Sequence, residues 1–209
     1  MKILLIGATG LVGSHVLEQA LADSRISQIV APVRHALPEH PKLFAPIVNF
    51  EQLPDDAMIW EVDAVICTLG STMKVAGSKS AFRQVDYTYP LECAKLAKKW
   101  GCPTYALTSA LGANANSPFF YSRIKGELER SLIALNFESL TLVRPNVISG
   151  HRNQERLGEV IVIRLISCLS RILPASCQIS PAKNIASALL NSAIHSEKGV
   201  RIISSKQLA

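Results

Sequence analysis

The sequence of 209 residues lacks any uninterrupted run of about 20 apolar residues, the length that a membrane-spanning helix requires. Its most apolar segment, LGEVIVIRLISCLSRIL, contains Glu159, Arg164 and Arg171, which is typical of a partly buried amphipathic helix. The N-terminal ILLIGATGLVG is similar to the apolar part of a signal peptide, but its glycine spacing favours a folded unit that begins at residue 2. We therefore expect no contact with a membrane.

Cysteine and histidine are sparse and show no metal-binding or redox spacing. The chain has five cysteines, an odd number without a CxxC pair, and five histidines that stand singly. This pattern argues against a disulfide framework and against a structural metal site. It predicts a reducing compartment, and we expect a cytoplasmic protein.

Neither sign of charge forms a dense run. The 22 Lys and Arg residues exceed the 16 Asp and Glu residues, which gives a net charge of +6, but they are dispersed and not interleaved with aromatic residues. Nucleic acid is therefore not an expected partner. A phosphate-bearing small molecule accounts for part of the basic excess equally well.

Apolar strands alternate with helical segments along the chain. We predict helices over 11–22, 80–100, 117–135, 155–173 and 180–196, and strands over 2–6, 28–34, 45–50, 62–69, 104–109, 139–145 and 199–205. Pro32 should end the second strand, Pro90 should adjust the second helix, and Ser117 and Ser180 should start later helices. The alternation predicts an α/β fold with a Rossmann-type, doubly wound parallel sheet. We expect one domain over 1–209, in which 146–209 contribute a small helical region on the substrate side.

Three glycines, Gly7, Gly10 and Gly13, follow the first strand at three-residue intervals and lead into the first helix. Glycines at such a turn allow the backbone to approach a pyrophosphate, and the helix N-terminus supplies free N–H groups. The spacing is GxxGxxG and not the usual GxGxxG. Because the glycines lie between a buried strand and a helix, they predict dinucleotide binding and not merely a structural turn.

The end of the second strand, PVRH, indicates which dinucleotide is bound. NAD-binding chains usually carry a carboxylate there for the ribose hydroxyls, whereas this chain has Arg34. A guanidinium suits a 2′-phosphate, so the sequence favours NADP, with NAD still possible. The alternative is that Arg34 is an ordinary surface residue.

Tyr121 and Lys125 form a YxxxK pair that shares one face of a helix. A neighbouring ammonium favours the tyrosinate, and such a tyrosine exchanges a proton with a carbonyl or alcohol oxygen. Ser109, at the end of the fifth strand, has a hydroxyl for the same oxygen. We predict that these three residues are catalytic, that Tyr121 and Lys125 also bind the cofactor, and that Lys125 holds its nicotinamide ribose. The alternative is a surface Tyr–Lys pair and a strand-end serine.

Several segments, in order, resemble the atypical short-chain dehydrogenases, in particular members of the Tat-interacting-protein type: GATGLVG, LGST, VDYTYPLECAKLAKKWG, TSALGA, FYSRIKGELE and LVRPNVISGHR. The resemblance covers nearly the whole chain. It implies that Leu69 and Gly70 line the cofactor beside the adenine-side ribose and that Pro145 to Val147 pass near the nicotinamide. It also implies a Ser109–Tyr121–Lys125 triad, a phosphate-reading Arg34, and a pyrophosphate cradle made of Gly7, Thr9, Gly10, Leu11, Val12 and Gly13.

Two features depart from that family. Many of its members carry an asparagine for a proton relay on the helix after the fourth strand, where this chain has Asp86. Only 64 residues follow Pro145, which argues against the larger substrate domain of a sugar-nucleotide epimerase. The segment 71–80 is either a mobile cover over the cofactor or an ordinary solvated loop.

The sequence therefore predicts an NADP(H)-dependent oxidoreductase that acts on the carbonyl or alcohol of a small molecule. A non-catalytic, NADPH-binding regulator or scaffold is the alternative from a different functional class. The apolar face of 157–173 walls the substrate pocket or forms an oligomer contact, so a protein partner or a homo-oligomer is also compatible with the sequence.

Overall fold

A computed structural model of the protein describes residues 1–149 and 179–208. Its centre is a parallel sheet of seven strands in the order β3-β2-β1-β4-β5-β6-β9. The strands are β1 (Lys2–Ile6), β2 (Gln28–Val30), β3 (Leu43–Phe44), β4 (Ala64–Cys67), β5 (Thr104–Thr108), β6 (Ser139–Arg144) and β9 (Gly199–Ser204). A separate parallel pair joins β7 (Ile148–Ser149) to β8 (Ser180–Pro181).

Helices cover both faces of this sheet. They are α1 (Leu11–Ala22), α2 (Ala57–Trp60), α3 (Met73–Ala76), α4 (Lys79–Arg83), α5 (Tyr89–Lys99), α6 (Phe120–Ala134) and α7 (Ala182–Ile194). Val16 of α1 and Leu189 of α7 pack with Ile3 of β1 on one face. Ala94 of α5 and Leu128 of α6 share the other apolar cluster. The central strands are buried on both faces, which explains their continuous apolar runs.

The direction of strand order reverses between β1 and β4, which are hydrogen-bonded neighbours at the centre of the sheet. In doubly wound sheets ligands bind outside the carboxyl ends of the strands at such a point. The predicted Rossmann-type α/β fold is confirmed, and its ligand-binding edge is the one that carries the glycine turn.

Several predicted elements differ in the structure. The third strand is Leu43–Phe44 and not 45–50, where only Ile47 forms a bridge, with Val33. The long helix over 80–100 is divided by a π-helical turn, Gln84–Thr88. Pro90 has no N–H to donate to the carbonyl four residues earlier, and the helix widens directly before it. The segment 71–80 contains α3 and the start of α4.

The two predicted serine starts are wrong. Helix α6 begins at Phe120, and the hydroxyl of Ser117 accepts the N–H of Phe119. Helix α7 begins at Ala182, and the hydroxyl of Ser180 instead accepts the N–H of Asn146 at 3.3 Å. In both cases the serine stabilises the chain just before the helix and does not cap it.

The predicted helix over 155–173, with the suggested oligomer contact on 157–173, lies outside the described residues. Helix α7 and strand β9 complete one helical layer and one edge of the sheet. Within 1–149 and 179–208, no helix is long and apolar enough to cross a membrane.

Candidate functional site

The glycine turn brings β1 and α1 into close contact. Gly7 has a φ of +88°, a conformation that other residues rarely adopt. A Cβ at Gly13 would lie 2.0 Å from the carbonyl oxygen of Gly7, so no side chain fits there. The N–H of Gly10 donates to that same carbonyl at 3.0 Å. Two of the three glycines are thus required by conformation or by space.

The N-terminus of α1 has no side-chain cap. Gly10 is the N-cap residue without a capping hydrogen bond, and the first turn contains no acidic residue. Unpaired N–H groups and the positive end of the helix dipole favour an anion there. Thr9 is exposed, whereas Val12 is buried in the core, so Val12 has only its backbone to offer to a ligand.

The end of β4 is attached to this turn. The hydroxyl of Thr68 donates to the carbonyls of Ile6 and Gly7, at 3.0 and 3.1 Å. Leu69 and Gly70 follow; Leu69 is partly buried and Gly70 is exposed. The residues that were predicted to line the cofactor therefore follow the strand beside the glycine turn.

Arg34 lies beyond the carboxyl end of β2, the strand on the other side of β1. It follows Val33, whose bridge to Ile47 extends the pairing of β2. The Arg34 side chain is exposed, and it makes no hydrogen bond or ion pair with any residue of the described chain. A guanidinium is thus available at the ligand-binding edge.

Lys125 is buried and forms an ion pair with Asp86, at 2.8 Å between Nζ and Oδ1. The other carboxylate oxygen of Asp86 accepts the N–H of Ser71 at 2.8 Å. A Cβ at Gly70 would lie 3.6 Å from Lys125 Nζ, so the ammonium lies directly behind the backbone that follows β4. Burial raises the pKa of Asp86 above its ordinary value, although Lys125 counteracts part of this effect.

Tyr121 lies one helical turn before Lys125, near the start of α6. Its side chain is 41% exposed, and its ring packs on Phe82 with 5.7 Å between centroids. Burial lowers the pKa of Lys125, but Asp86 and then Tyr121 outweigh it, so that the pKa is raised. The structure therefore brings Tyr121 and Lys125 into electrostatic contact and leaves the phenol accessible.

Ser109 is buried, and its hydroxyl donates to Glu129 Oε1 at 2.5 Å. Glu129 also receives two hydrogen bonds from the guanidinium of Arg144, including one of 2.9 Å from Nε. The hydroxyl proton of Ser109 is therefore directed at Glu129 in this structure.

The last predicted residues follow β6. Pro145 is buried and its carbonyl accepts the N–H of Leu111 at 2.8 Å, which joins the ends of β6 and β5. The side chain of Val147 is 39% exposed. Both residues lie at the same edge of the sheet as the glycine turn.

Sequence reasoning missed Glu129 and Arg144 and treated Asp86 only as a departure. Glu129 follows Lys125 by four residues on α6, so its helical spacing was a usable signal. Gly126 was also missed. A Cβ there would lie 2.2 Å from the backbone N of Ala115, so this glycine allows the 112–116 loop to contact α6.

No protein-family model matches the chain. Among curated proteins, it is 34% identical over 160 residues to Protein FMP52, mitochondrial, of Eremothecium gossypii, which covers 76% of this chain and 71% of that protein. It is 30% identical over 203 residues to Protein HTATIP2 of Rattus norvegicus, which covers 95% of this chain and 83% of that protein.

The yeast relatives bear on the compartment. Several of them are named as mitochondrial proteins, which contradicts the predicted cytoplasmic location. The prediction was wrong because cysteine usage reports only a reducing environment and does not distinguish one such compartment from another.

Solved structures share the fold at low sequence identity. The structure of MoeE5 in complex with UDP-glucose and NAD matches with a TM-score of 0.73 at 15% identity, and it covers 97% of this chain and 75% of that chain. The parallel sheet and the two curated relatives support the same family assignment. The chain belongs to the family of FMP52 and HTATIP2, which are atypical short-chain dehydrogenases with a Rossmann fold.

Proposed function

We propose that this protein is an NADP(H)-dependent oxidoreductase that interconverts a carbonyl and an alcohol on a small molecule. The observation that carries the proposal is the position of Lys125. Its ammonium lies beside Tyr121 and 3.6 Å from a Cβ position at Gly70, at the strand reversal of the sheet. A proton-transfer pair and a dinucleotide-binding edge thus meet at one place.

The glycine turn fits a dinucleotide. The space at Gly13 excludes a side chain, and the uncapped start of α1 offers N–H groups to a pyrophosphate. Gly7, Thr9, Gly10, Leu11 and Gly13 would hold it through backbone contacts. Leu69 and Gly70 would line the cofactor, and Lys125 would adjoin the nicotinamide ribose.

The preference for NADP over NAD is proposed from Arg34. An exposed guanidinium beyond the end of β2, without a partner among residues 1–149 and 179–208, suits a 2′-phosphate, and Arg34 is followed by His35 and not by a carboxylate. The MoeE5 structure was obtained with NAD, which is a property of that protein.

The reaction step that the side chains of this protein would perform is a proton transfer. The bound nicotinamide would supply or accept a hydride. The phenol of Tyr121 would give its proton to the carbonyl oxygen, or take it from the alcohol in the reverse direction. The ammonium of Lys125 would stabilise the tyrosinate that remains. Because its O–H is donated to Glu129 in a hydrogen bond, Ser109 would accept a hydrogen bond from an alcohol and not donate one to a ketone.

A non-catalytic NADPH-binding regulator is the second candidate. One observation favours it: the hydroxyl of Ser109 is engaged by Glu129. Such a protein would bind the nucleotide at the same glycine turn but would not turn over substrate.

One experiment separates the two candidates. The protein is incubated with NADPH or NADH and a panel of aldehydes, ketones and quinones, and the loss of nicotinamide absorbance is followed. Binding of each nucleotide is measured in parallel by fluorescence. The proposal expects turnover with at least one carbonyl class and tighter binding of NADPH. Tight binding without turnover across the panel would favour the regulator.

A further inference from the structure

A buried carboxylate lies against the ammonium of the proposed site. Asp86 is fully buried within the π-helical turn Gln84–Thr88, and its Oδ1 is 2.8 Å from Lys125 Nζ. Single π-helical turns insert a residue into a helix and are frequent at functional sites. Here the wider turn directs the carboxylate inward, toward α6.

Both oxygens of Asp86 have fixed partners. Oδ1 faces Lys125 on α6, and Oδ2 accepts the N–H of Ser71 at 2.8 Å, in the segment after β4. A Cβ at Gly70 would lie 3.4 Å from Oδ1 and 3.6 Å from Nζ, so Gly70 passes directly over the ion pair. The carboxylate therefore connects the helix that carries Tyr121 to the segment proposed to line the cofactor.

Three groups face the ammonium of Lys125 in the described chain: Asp86 on the π-helical turn, the phenol of Tyr121 on α6, and the thiol of Cys67 on β4. Burial alone lowers the pKa of Lys125, and Asp86 is the largest opposing influence, which leaves the pKa raised. Without Asp86, a lysine that is 4% exposed would be expected to lose its proton readily.

We propose that Asp86 is a positioning residue that keeps Lys125 charged and fixes its ammonium behind Gly70. The contact between Nζ and Oδ1, at 2.8 Å, is an ion pair. It would hold the ammonium beside Tyr121 and the ligand-binding edge. The consequence for turnover rests on the proposed function, whereas the charge state of Lys125 does not.

The charge of Lys125 is measured directly by NMR on protein labelled with ¹³C-lysine, with the Cε signal assigned through Lys125→Arg. In the unmodified protein we expect the ammonium form to persist above about pH 10.4, the ordinary value for lysine. Asp86→Asn keeps the shape and an acceptor for Ser71 but removes the charge. It should lower the titration midpoint of Lys125 by about one to three pH units.

The matched control is a second ion pair, which joins the end of α4, next to the π-helical turn, to α6. Arg83, at the end of α4, pairs with Glu127 of α6 at 2.6 Å, and this pair is more exposed than that of Asp86. Glu127→Gln removes one carboxylate from an ion pair that also joins this segment to α6. This change should leave the titration midpoint of Lys125 unchanged, because solvent screens an ion pair as exposed as this one.

Turnover provides the second readout. In Asp86→Asn the alkaline limb of the kcat profile should move to lower pH in parallel with the Lys125 midpoint. A loss of kcat by the same factor at every pH would indicate a merely structural role and overturn the proposal. An unchanged Lys125 midpoint in Asp86→Asn would also overturn it.

Two further outcomes are decisive. If Asp86→Asn does not fold, the unmodified protein decides the question: a charged Lys125 at pH 10 supports the proposal, and a neutral Lys125 at pH 8 overturns it. If Lys125 titrates as expected but no carbonyl is reduced, the proposed function fails while the role of Asp86 in charging Lys125 stands.

Discussion

The phenol of Tyr121 is accessible, whereas its partner Lys125 is buried, so the two residues respond differently to substitution. Tyr121→Phe removes only the hydroxyl and keeps the ring on Phe82. We expect kcat to fall by roughly 10²- to 10⁴-fold, the usual contribution of a general acid. The Kd for NADPH should stay nearly constant, as measured by fluorescence titration.

Tyr87→Phe is the matched control for that change. Tyr87 lies on the neighbouring π-helical turn, and its hydroxyl pairs with Ser131 at 3.1 Å. Loss of this hydroxyl should leave turnover close to that of the unmodified protein. Full turnover in Tyr121→Phe would remove the catalytic role assigned to Tyr121.

Arg34 governs the proposed choice of nucleotide. Arg34→Ala should weaken NADPH binding by roughly 10- to 100-fold, because a charge-assisted hydrogen bond to a phosphate is lost. NADH binding should change little. Arg130→Ala, at an exposed position on α6, serves as the control and should affect neither nucleotide. Equal losses for both nucleotides in Arg34→Ala would contradict the phosphate contact.

At the residue level, the spacing of nearby residues predicted local structure, whereas contacts between distant residues could not be predicted. The interval of the glycines predicted the turn, since Gly7 has a positive φ and the Cβ position of Gly13 meets the nearby carbonyl of Gly7. The partner of Ser109 is Glu129, 20 residues further along the chain, and this contact depends on how α6 packs against β5. Such packing is not encoded in the spacing of either residue.

Helix α6 carries the proposed proton-transfer pair, and Gly126 sets its contact with the 112–116 loop. Alanine normally stabilises a helix by about 1 kcal/mol relative to glycine. Here the added Cβ would lie 2.2 Å from the backbone N of Ala115, so the overlap opposes that gain. We expect Gly126→Ala to destabilise the protein by on the order of 1–3 kcal/mol, measured by urea unfolding.

Ile133→Ala, on the same helix, is the comparison for Gly126→Ala. Ile133 is 47% exposed, and its truncation should change the free energy of unfolding by only about 0.5 kcal/mol. A Gly126→Ala protein that is more stable than the unmodified one would mean that the loop moves aside without cost.

Helices and strands were predictable from the sequence where a single physical principle determined the element. Apolar runs identified the central strands, because strands buried on both faces of a parallel sheet have no polar alternation. The π-helical turn was not predictable, since Pro90 indicates an irregularity but not whether the helix kinks, ends or widens. The start of α6 was misplaced because Ser117 and Pro118 also suit an extended approach to a helix.

Across the whole molecule, several buried groups oppose ionisation in the same pH range. Burial raises the pKa of Cys67 and Cys93, raises that of Cys102 to about 11, and raises that of Tyr105 well above its ordinary value. The unfolded chain loses these protons near its ordinary thiol and phenol values, while the folded protein retains them. Stability should therefore be fully present below about pH 8.5 and fall as the pH rises through the folded values.

Thermal melting between pH 7.5 and 10.5, with a reductant present, measures this loss. Each group contributes up to about 1.4 kcal/mol per pH unit where the two states differ by a full proton. Cys102→Ala removes one titrating thiol and should give a shallower decline than the unmodified protein. A melting temperature that does not change with pH over this range would contradict the prediction.

The sheet as a whole was predictable because strands and helices alternate along the chain. The compartment was not predictable, since cysteine usage reports only a reducing environment. The alternation of strands and helices predicted a doubly wound parallel sheet, whereas the order of its strands was seen only in the structure. The Asp86–Lys125 pair required three separate segments to meet, and only the folded chain reveals it.

The widened turn at Gln84–Thr88 also has an evolutionary consequence. Deleting one residue there would restore a regular α-helix, yet it would rotate everything before the deletion by about 100° around the helix axis relative to everything after it. Asp86 would then be unable to contact both the N–H of Ser71 and the ammonium of Lys125. A one-residue deletion in this turn would therefore be selected against as long as the carboxylate is needed. Among related sequences, such deletions should be rarer here than in the exposed turns nearby.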